Sequence, residues 1–304
     1  MAVVEHHFRA MASAGLVQLV DGDLNLAQRA ERRAQDLEAR WSRFLPTSDV
    51  SRLNRAGGAE VRVTPETIEL VRAMTRAWEL TERRYDPTVL PLLVALGYQR
   101  SVEDLERRTL LDPDATPLGD LHAIEIDAGR STVALPRGMA LDPGGIGKGL
   151  AADMIAAELI ADGARGALVS IGGDLGVAGR APDEGWLVVV EAPDDPDRAL
   201  VTLAIDHGGI ATSSTLSRRW ATTDATAGAT HHLIDPGSGR ASSTDLWAVT
   251  VIAGSGMEAE AIATEALLAG SSGLGVVLDR HGVDGVAVTD QGALLVAINA
   301  RQGL

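Results

Sequence analysis

Lys148 is the one lysine among 27 basic residues; all the others are arginine. It lies in Leu141-Asp142-Pro143-Gly144-Gly145-Ile146-Gly147-Lys148-Gly149, the most glycine-rich loop of the chain. Glycine lets backbone N–H groups approach and converge on an anion, and a helix starting after such a loop adds a favourable dipole. A compact ammonium in that loop suits a phosphate, where arginine replaces it poorly; the plain alternative is a lysine retained by chance. A Walker A loop would need glycine at Asp142 and a hydroxyl residue at Gly149, so that reading fails. The dinucleotide fingerprint G-x-G-x-x-A fits Gly147, Gly149 and Ala152, with a strand-like run from Ala167 to Ile171 behind it. Asp174, the acidic residue after that strand, lies beyond the usual separation of about 20 residues. A Rossmann-type nucleotide site therefore stands as an alternative.

Other residues add polar chemistry. Ile210-Ala211-Thr212-Ser213-Ser214 reads as a small hydroxyl-rich turn able to hold phosphate oxygens. His231 and His232 precede Asp235-Pro236, a pair that is either structural or catalytic. Tyr85, one of only nine aromatic residues, stands before Asp86-Pro87 and either packs inward or stacks on a ligand. Glu260 and Thr264 are four apart, which places a carboxylate and a hydroxyl on one helix face. Oxygen donors of that kind suit magnesium rather than zinc; otherwise Glu260 is exposed and Thr264 bonds back to its own helix.

The elements that must position these residues alternate between strand-like and helical periods, and 45% of the 304 residues are apolar, as in a mixed α and β protein. A strand is expected over Arg9–Val20 and a helix over Asn25–Phe44. A second helix starts at Thr64-Pro65 and runs to about Arg83, where Tyr85-Asp86-Pro87 ends it. A hairpin surrounds residues 127–130. A helix follows the glycine loop, over Leu150–Ile160. Further strands cover Ala167–Ile171, 185–191, 199–205 and Val249–Ala253, then a helix spans Met257–Gly270, and a helix with two strands fills the rest to Leu304. No internal repeat is visible. A net charge of −15 argues against nucleic acid as a partner. Cysteine is absent, which excludes disulfides, thiolate ligands and a lipid-anchored cysteine. The first 20 residues lack a signal pattern and no run of 18 apolar residues appears, so the expectation is a cytoplasmic protein with no transmembrane segment.

Taken in order, these motifs resemble the ApbE family of FAD:protein FMN transferases. The likeness covers nearly the whole chain. It runs through Met11-Ala12-Ser13, Trp41-Ser42-Arg43-Phe44, Asp49 to Asn54, Tyr85 to Val89 and Leu141 to Gly149. It continues through Ser170 to Asp174, Ala211-Thr212-Ser213, His232 to Pro236 and Ala259 to Thr264. The resemblance implies an α+β fold of mostly antiparallel sheets flanked by helices, T-fold-like, in one domain of two lobes with an FAD cleft between them. It implies FAD contacts from Met11, Phe44, Arg84, Tyr85, Asp86, Asp142, Lys148, Thr212 and Ile234. It implies a magnesium (Mg2+) site at Glu260, Thr264 and the carbonyls of Gly145 and Ala263, with His232 as general base and Lys148 as a second catalytic residue. The implied reaction moves FMN from FAD to a Thr or Ser hydroxyl of an acceptor protein and releases AMP. Alternatives on the same residues are an FAD pyrophosphatase and a non-catalytic FAD-binding protein. Glu260 stands where relatives usually carry aspartate.

Overall fold

The computed structural model describes residues 3–221 and 229–298. The chain opens with strands β1 (Val3–Ala10) and β2 (Ser13–Val20), paired antiparallel. The single strand expected over Arg9–Val20 is thus a hairpin. Its two-residue turn, Met11-Ala12, has both residues at positive φ, 53° and 55°. Hairpin turns of that shape usually carry asparagine or glycine, so nothing in the sequence marks it. Glu38 holds it by accepting the Met11 N–H at 2.8 Å.

Helix α1 (Leu24–Trp41) is capped by Asp23, whose carboxylate accepts the Leu26 N–H. Its residues Leu26, Ala30, Ala34, Leu37 and Trp41 recur at helical spacing and are buried. Helix α2 (Pro65–Leu80) starts as expected, with Thr64 as N-cap and proline in its first turn. A six-residue helix at Leu90–Ala95, after the Asp86-Pro87 turn, was not foreseen. Helix α3 (Gly147–Ala161) begins inside the glycine loop, so Lys148 lies in its first turn.

Strands β3 (Gly166–Ile171) and β4 (Asp174–Gly179) follow, joined by Gly172 and Gly173 at φ 64° and 91°. Then come β5 (Gly208–Ser214), β6 (Leu246–Ala253), the long helix α4 (Gly256–His281), β7 (Asp284–Thr289) and β8 (Leu294–Ala297). Residues 299–304, where the last expected strand was to end, lie outside the described residues. The stretch expected to be a hydroxyl-rich turn is β5. Its small and β-branched residues pair with β6, Thr212 facing Thr250 across the strands.

These eight strands form one sheet in the order β1-β2-β3-β4-β5-β6-β7-β8, antiparallel throughout, and the other described strands form small separate sheets. That pairing overturns the Rossmann alternative, which needs α3 to feed a parallel strand. The α+β architecture implied by the resemblance is the one observed. It also contains a repeat that the sequence hides: with α1, α2 and the Leu90–Ala95 helix set aside as insertions before α3 in the first half, each four-strand half is two strands, a helix laid on the sheet (α3 or α4) and two more strands. Both helices lie against the sheet, and a ribbon of Trp186–Ala192 with Asp195–Ile205 supplies a further apolar cluster, Trp186 and Ile205 joining Leu168, Leu175 and Ile210. Helix α4 is long and apolar enough to cross a membrane by length and composition, and most of its apolar window is buried inside the protein. Gly270 breaks its helical geometry at φ 71°.

The N-termini of α3 and α4 meet and exchange carboxylates. Gly149 donates its N–H to Glu260 Oε2 at 2.9 Å, while Gly256 and Met257 donate theirs to Asp153 at 2.8 and 3.0 Å. Each carboxylate thus satisfies backbone donors that a helix start leaves free. The approach needs glycine: a Cβ on Gly149 would lie 2.3 Å from the Gly256 carbonyl oxygen. Gly149→Ala is expected to destabilise the fold by about 3 kcal/mol, the upper part of the overpacking range. Urea unfolding measures it; an unmoved midpoint would mean that the helices do not cross there.

Candidate active site

A cavity of about 600 Å³ lies where the β1–β2 turn, the segment after α1, the Arg84–Val89 loop, α3, α4 and the end of β5 converge. Every residue that the family resemblance assigns to the site lines it except Ala263, which is fully buried. Met11 lines it from the hairpin turn and Ile234 from the short strand Ile234–Asp235, to which Arg84 is tied through Asp235 at 3.2 Å.

The glycine loop is anchored before it reaches the cavity. Asn54 brackets Leu141, donating to its carbonyl and accepting its N–H, both at 2.8 Å. Asp142 donates its own N–H to the Pro87 carbonyl at 2.8 Å, and its carboxylate faces Arg43 Nε at 3.3 Å. Tyr85 packs under the loop, where a Cβ on Gly145 would come within 2.7 Å of its ring. Burial, and then the charges of Glu260, Asp142 and Asp86, push the Tyr85 phenol well above its ordinary range, so it stays a neutral donor. Asp86 accepts from the backbone and hydroxyl of Thr88 at 2.7 and 2.6 Å, which caps the short helix beyond it.

Lys148 sits between two acids. Its Nζ donates to Asp174 Oδ2 and, at 2.6 Å, to Glu260 Oε1. Both carboxylates are buried, so Glu260 is not the exposed residue that the plain reading allowed. Burial lowers the affinity of Lys148 for its proton, but the two carboxylates outweigh it and the ammonium is held charged. Burial pushes Glu260 upward, against the pull of Lys148. Thr212 lines the cavity and donates its N–H to Asp174 at 3.1 Å. Thr264 does bond back to its helix, donating to the Glu260 carbonyl at 3.1 Å, and its hydroxyl also meets Ser213 at 3.1 Å.

The histidine pair divides. His231 lies within hydrogen-bond distance of the Ser242 carbonyl at 3.1 Å, a structural contact, while His232 lines the cavity. Burial, and then the charges of Arg218 and Lys148, lower the His232 pKa to about 3, so its imidazole is neutral across the neutral range.

Arg43, Tyr98 and Asp174 line the cavity although sequence reasoning gave them no role. The Arg43 guanidinium lies 4.2 Å from the Phe44 ring centre and 4.6 Å from that of Tyr98, and Tyr98 stacks on Trp220 at 4.9 Å. Arg43 and Asp174 were visible as members of motifs; Tyr98 lies in a stretch with no pattern to mark it. Among the described residues, four buried polar atoms of the cavity lining have no hydrogen-bond partner: Trp41 Nε1, Arg43 Nη2, Tyr85 Oη and His232 Nδ1. Leaving such a group unpaired costs about 1–3 kcal/mol, which a ligand offering acceptors to the first three and a hydroxyl to His232 Nδ1 would recover.

Among the described residues no three His, Asp or Glu side chains converge into an all-protein metal cage. The two carboxylates and the hydroxyls of Ser213 and Thr264 are hard oxygen donors, and Lys148 already stands between the acids as a positive charge. That donor set fits magnesium, which takes one or two carboxylates and completes its shell with water and substrate oxygens.

The model of the ApbE family matches residues 7–287 of this chain. An FAD:protein FMN transferase of Salmonella typhimurium is 27% identical over 240 residues, covering 73% of this chain and 64% of that protein, less than two thirds of its length. One from Vibrio cholerae is 26% identical over 254 residues, covering 79% and 72%. Among solved structures, the ApbE protein of Thermotoga maritima superposes with a TM-score of 0.81 at 23% identity over 97% of each chain. The apo flavinyl transferase ApbE of Pseudomonas stutzeri gives 0.78 at 24% identity, over 97% and 95%. At these identities the two structures speak for the fold.

Proposed function

This chain belongs to the ApbE family, and from that premise we propose that it transfers the FMN moiety of FAD to a Thr or Ser hydroxyl of an acceptor protein, releasing AMP. The observation that carries the reading is the single lysine, clamped by two buried carboxylates in the same cavity as a neutral histidine with a free ring nitrogen. FAD supplies what that cavity lacks: phosphate oxygens for the ammonium, and ring acceptors for the unpartnered donors of Trp41, Arg43 and Tyr85. In the transfer, the acceptor hydroxyl attacks the FMN-side phosphorus and forms a new P–O bond. The bond to the AMP phosphate breaks, and AMP leaves with the bridging oxygen. His232 Nδ1 takes the hydroxyl proton, a task worth roughly 10²–10⁴-fold. Lys148 and the N–H groups at the start of α3 meet the negative charge that builds on the pyrophosphate.

Magnesium would be held by the Glu260 carboxylate and Thr264 hydroxyl, with the Gly145 and Ala263 carbonyls that the family resemblance adds. When bound it supplies charge neutralisation at the pyrophosphate.

The test is AMP release from FAD with Mg2+, with and without a flavin-acceptor domain whose mass is read alongside. AMP together with an FMN-sized mass gain supports transfer. AMP with no gain on any acceptor favours water as the nucleophile, and FAD retention without AMP favours a binding role. Glu260→Asp probes the departure from the usual residue. The longer side chain spans Lys148 and the Gly149 N–H at once, and aspartate can keep only one of them. Turnover is expected to stay within about tenfold, with about 1 kcal/mol of stability lost with the hydrogen bond. A loss of a hundredfold or more would place Glu260 in some other role.

A further inference from the structure

Asp174 is the most enclosed charge of the cavity, 2% exposed, and the proposed reaction gives it no task. The turn before it is fitted to its surroundings: a Cβ on Gly172 would lie 2.8 Å from Ser13 Oγ. One Asp174 oxygen accepts from Lys148 and the other from the Thr212 N–H. Glu260 divides itself the same way, between Lys148 and the Gly149 N–H. The two carboxylates come from opposite halves of the sheet fold and reach a single nitrogen, so their inner oxygens flank one cation-sized position.

Two buried carboxylates converge on one ammonium, in a place where any charge left uncompensated is expensive. A divalent cation would balance both. Tyr85, 4% exposed and with its hydroxyl unpartnered among the described residues, lines the same cavity and feels the Glu260 charge. A neutral phenol placed there can donate to an oxygen brought in with the cation.

The structure assigns Asp174, together with Glu260, to a divalent-cation site in which the Lys148 ammonium is the stand-in occupant. Cation and ammonium compete for the same inner oxygens, and the cation's arrival frees Lys148 to move to the phosphates. Asp174 is then a cation ligand in one state and the residue that positions Lys148 in the other. This rests on the metal-assisted reading above, though not on the transfer of flavin.

The experiment uses Mn2+ as probe on the full chain without flavin, with binding followed by calorimetry and by the electron-spin signal of free Mn2+. Lys148→Met removes the competitor and is expected to tighten Mn2+ binding at least tenfold. Adding Asp174→Asn to that variant is expected to abolish the gain. Equal or weaker binding by Lys148→Met would show that the ammonium does not occupy the cation's place. An unchanged affinity on adding Asp174→Asn would remove Asp174 from the site. Should Lys148→Met fail to fold, Asp174→Asn in the natural chain keeps one ammonium against one carboxylate. It is expected to weaken Mn2+ at least fivefold, and no change would overturn the assignment. No flavin enters these measurements, so their failure leaves the transferase reading standing, and failure of AMP release leaves this one standing.

Discussion

Lys148→Met is expected to lower kcat/KM for FAD by about 10²–10³, the usual effect of removing one preorganised donor from a developing oxyanion. The ammonium sits in a largely buried cavity, where charge–charge terms are stronger than in water. Methionine has a similar length and no charge, so the α3–α4 crossing through Gly149 and Glu260 is retained. Steady-state AMP release and FAD fluorescence quenching separate turnover from binding. Lys148→Arg is not expected to restore the rate, because a planar guanidinium cannot replace a compact ammonium between Asp174 and Glu260. Turnover within threefold of the natural chain would remove Lys148 from the reaction. The contrast is with cation binding, which the same substitution is expected to tighten.

His232→Ala should lower kcat by roughly 10²–10⁴ while FAD affinity changes little, since the proton acceptor is lost and the phosphate contacts are kept. The sign of its pKa shift supplies a second check. Burial, Arg218 and Lys148 all disfavour the imidazolium, bringing the ligand-free pKa to about 3. The ring is therefore neutral, with Nδ1 able to accept, from alkaline pH down to about pH 4, well below the ordinary histidine range near 6.5. Nitrogen-15 shifts of His232 should keep the neutral pattern through pH 5 in the free protein. With FAD bound the transition should move upward, because the pyrophosphate offsets the two cations. An ordinary titration near pH 6.5 in the free protein would mean that the ring faces solvent and is not held in the cavity. A fully active His232→Ala would assign the proton to another acceptor.

These effects concern residues that the sequence already distinguished, and the reason is chemical. A single lysine in a glycine loop, a histidine before Asp-Pro, and a carboxylate four residues before a hydroxyl are local patterns, readable without a fold. The capped start of α2 was readable for the same reason, since a cap is a contact within four residues. The hairpin turn at Met11-Ala12 was not, because neither residue is a usual former of a positive-φ turn and the Glu38 carboxylate that accepts the Met11 N–H comes from another element. The strand at Ile210–Ser214 looked like a turn because small hydroxyl residues serve equally in turns and in cross-strand pairs such as Thr212 with Thr250.

The sequence by itself determined most of the helical and strand-like segments and the alternation of an α+β chain, properties written in short-range spacing. The identity of most cavity-lining residues came from the ordered motifs through their resemblance to the ApbE family. Only the tertiary structure decided that the sheet is antiparallel throughout and that its halves repeat one plan. Only it showed that Gly147, Gly149 and Ala152 begin a helix packed against α4, where they had also fitted a dinucleotide turn. It alone brought Asp174 and Glu260 to one nitrogen. Register, helix crossing and shared counter-ions depend on residues about 26 and 112 positions from Lys148, and chain spacing carries no record of which distant carboxylate will face a given ammonium.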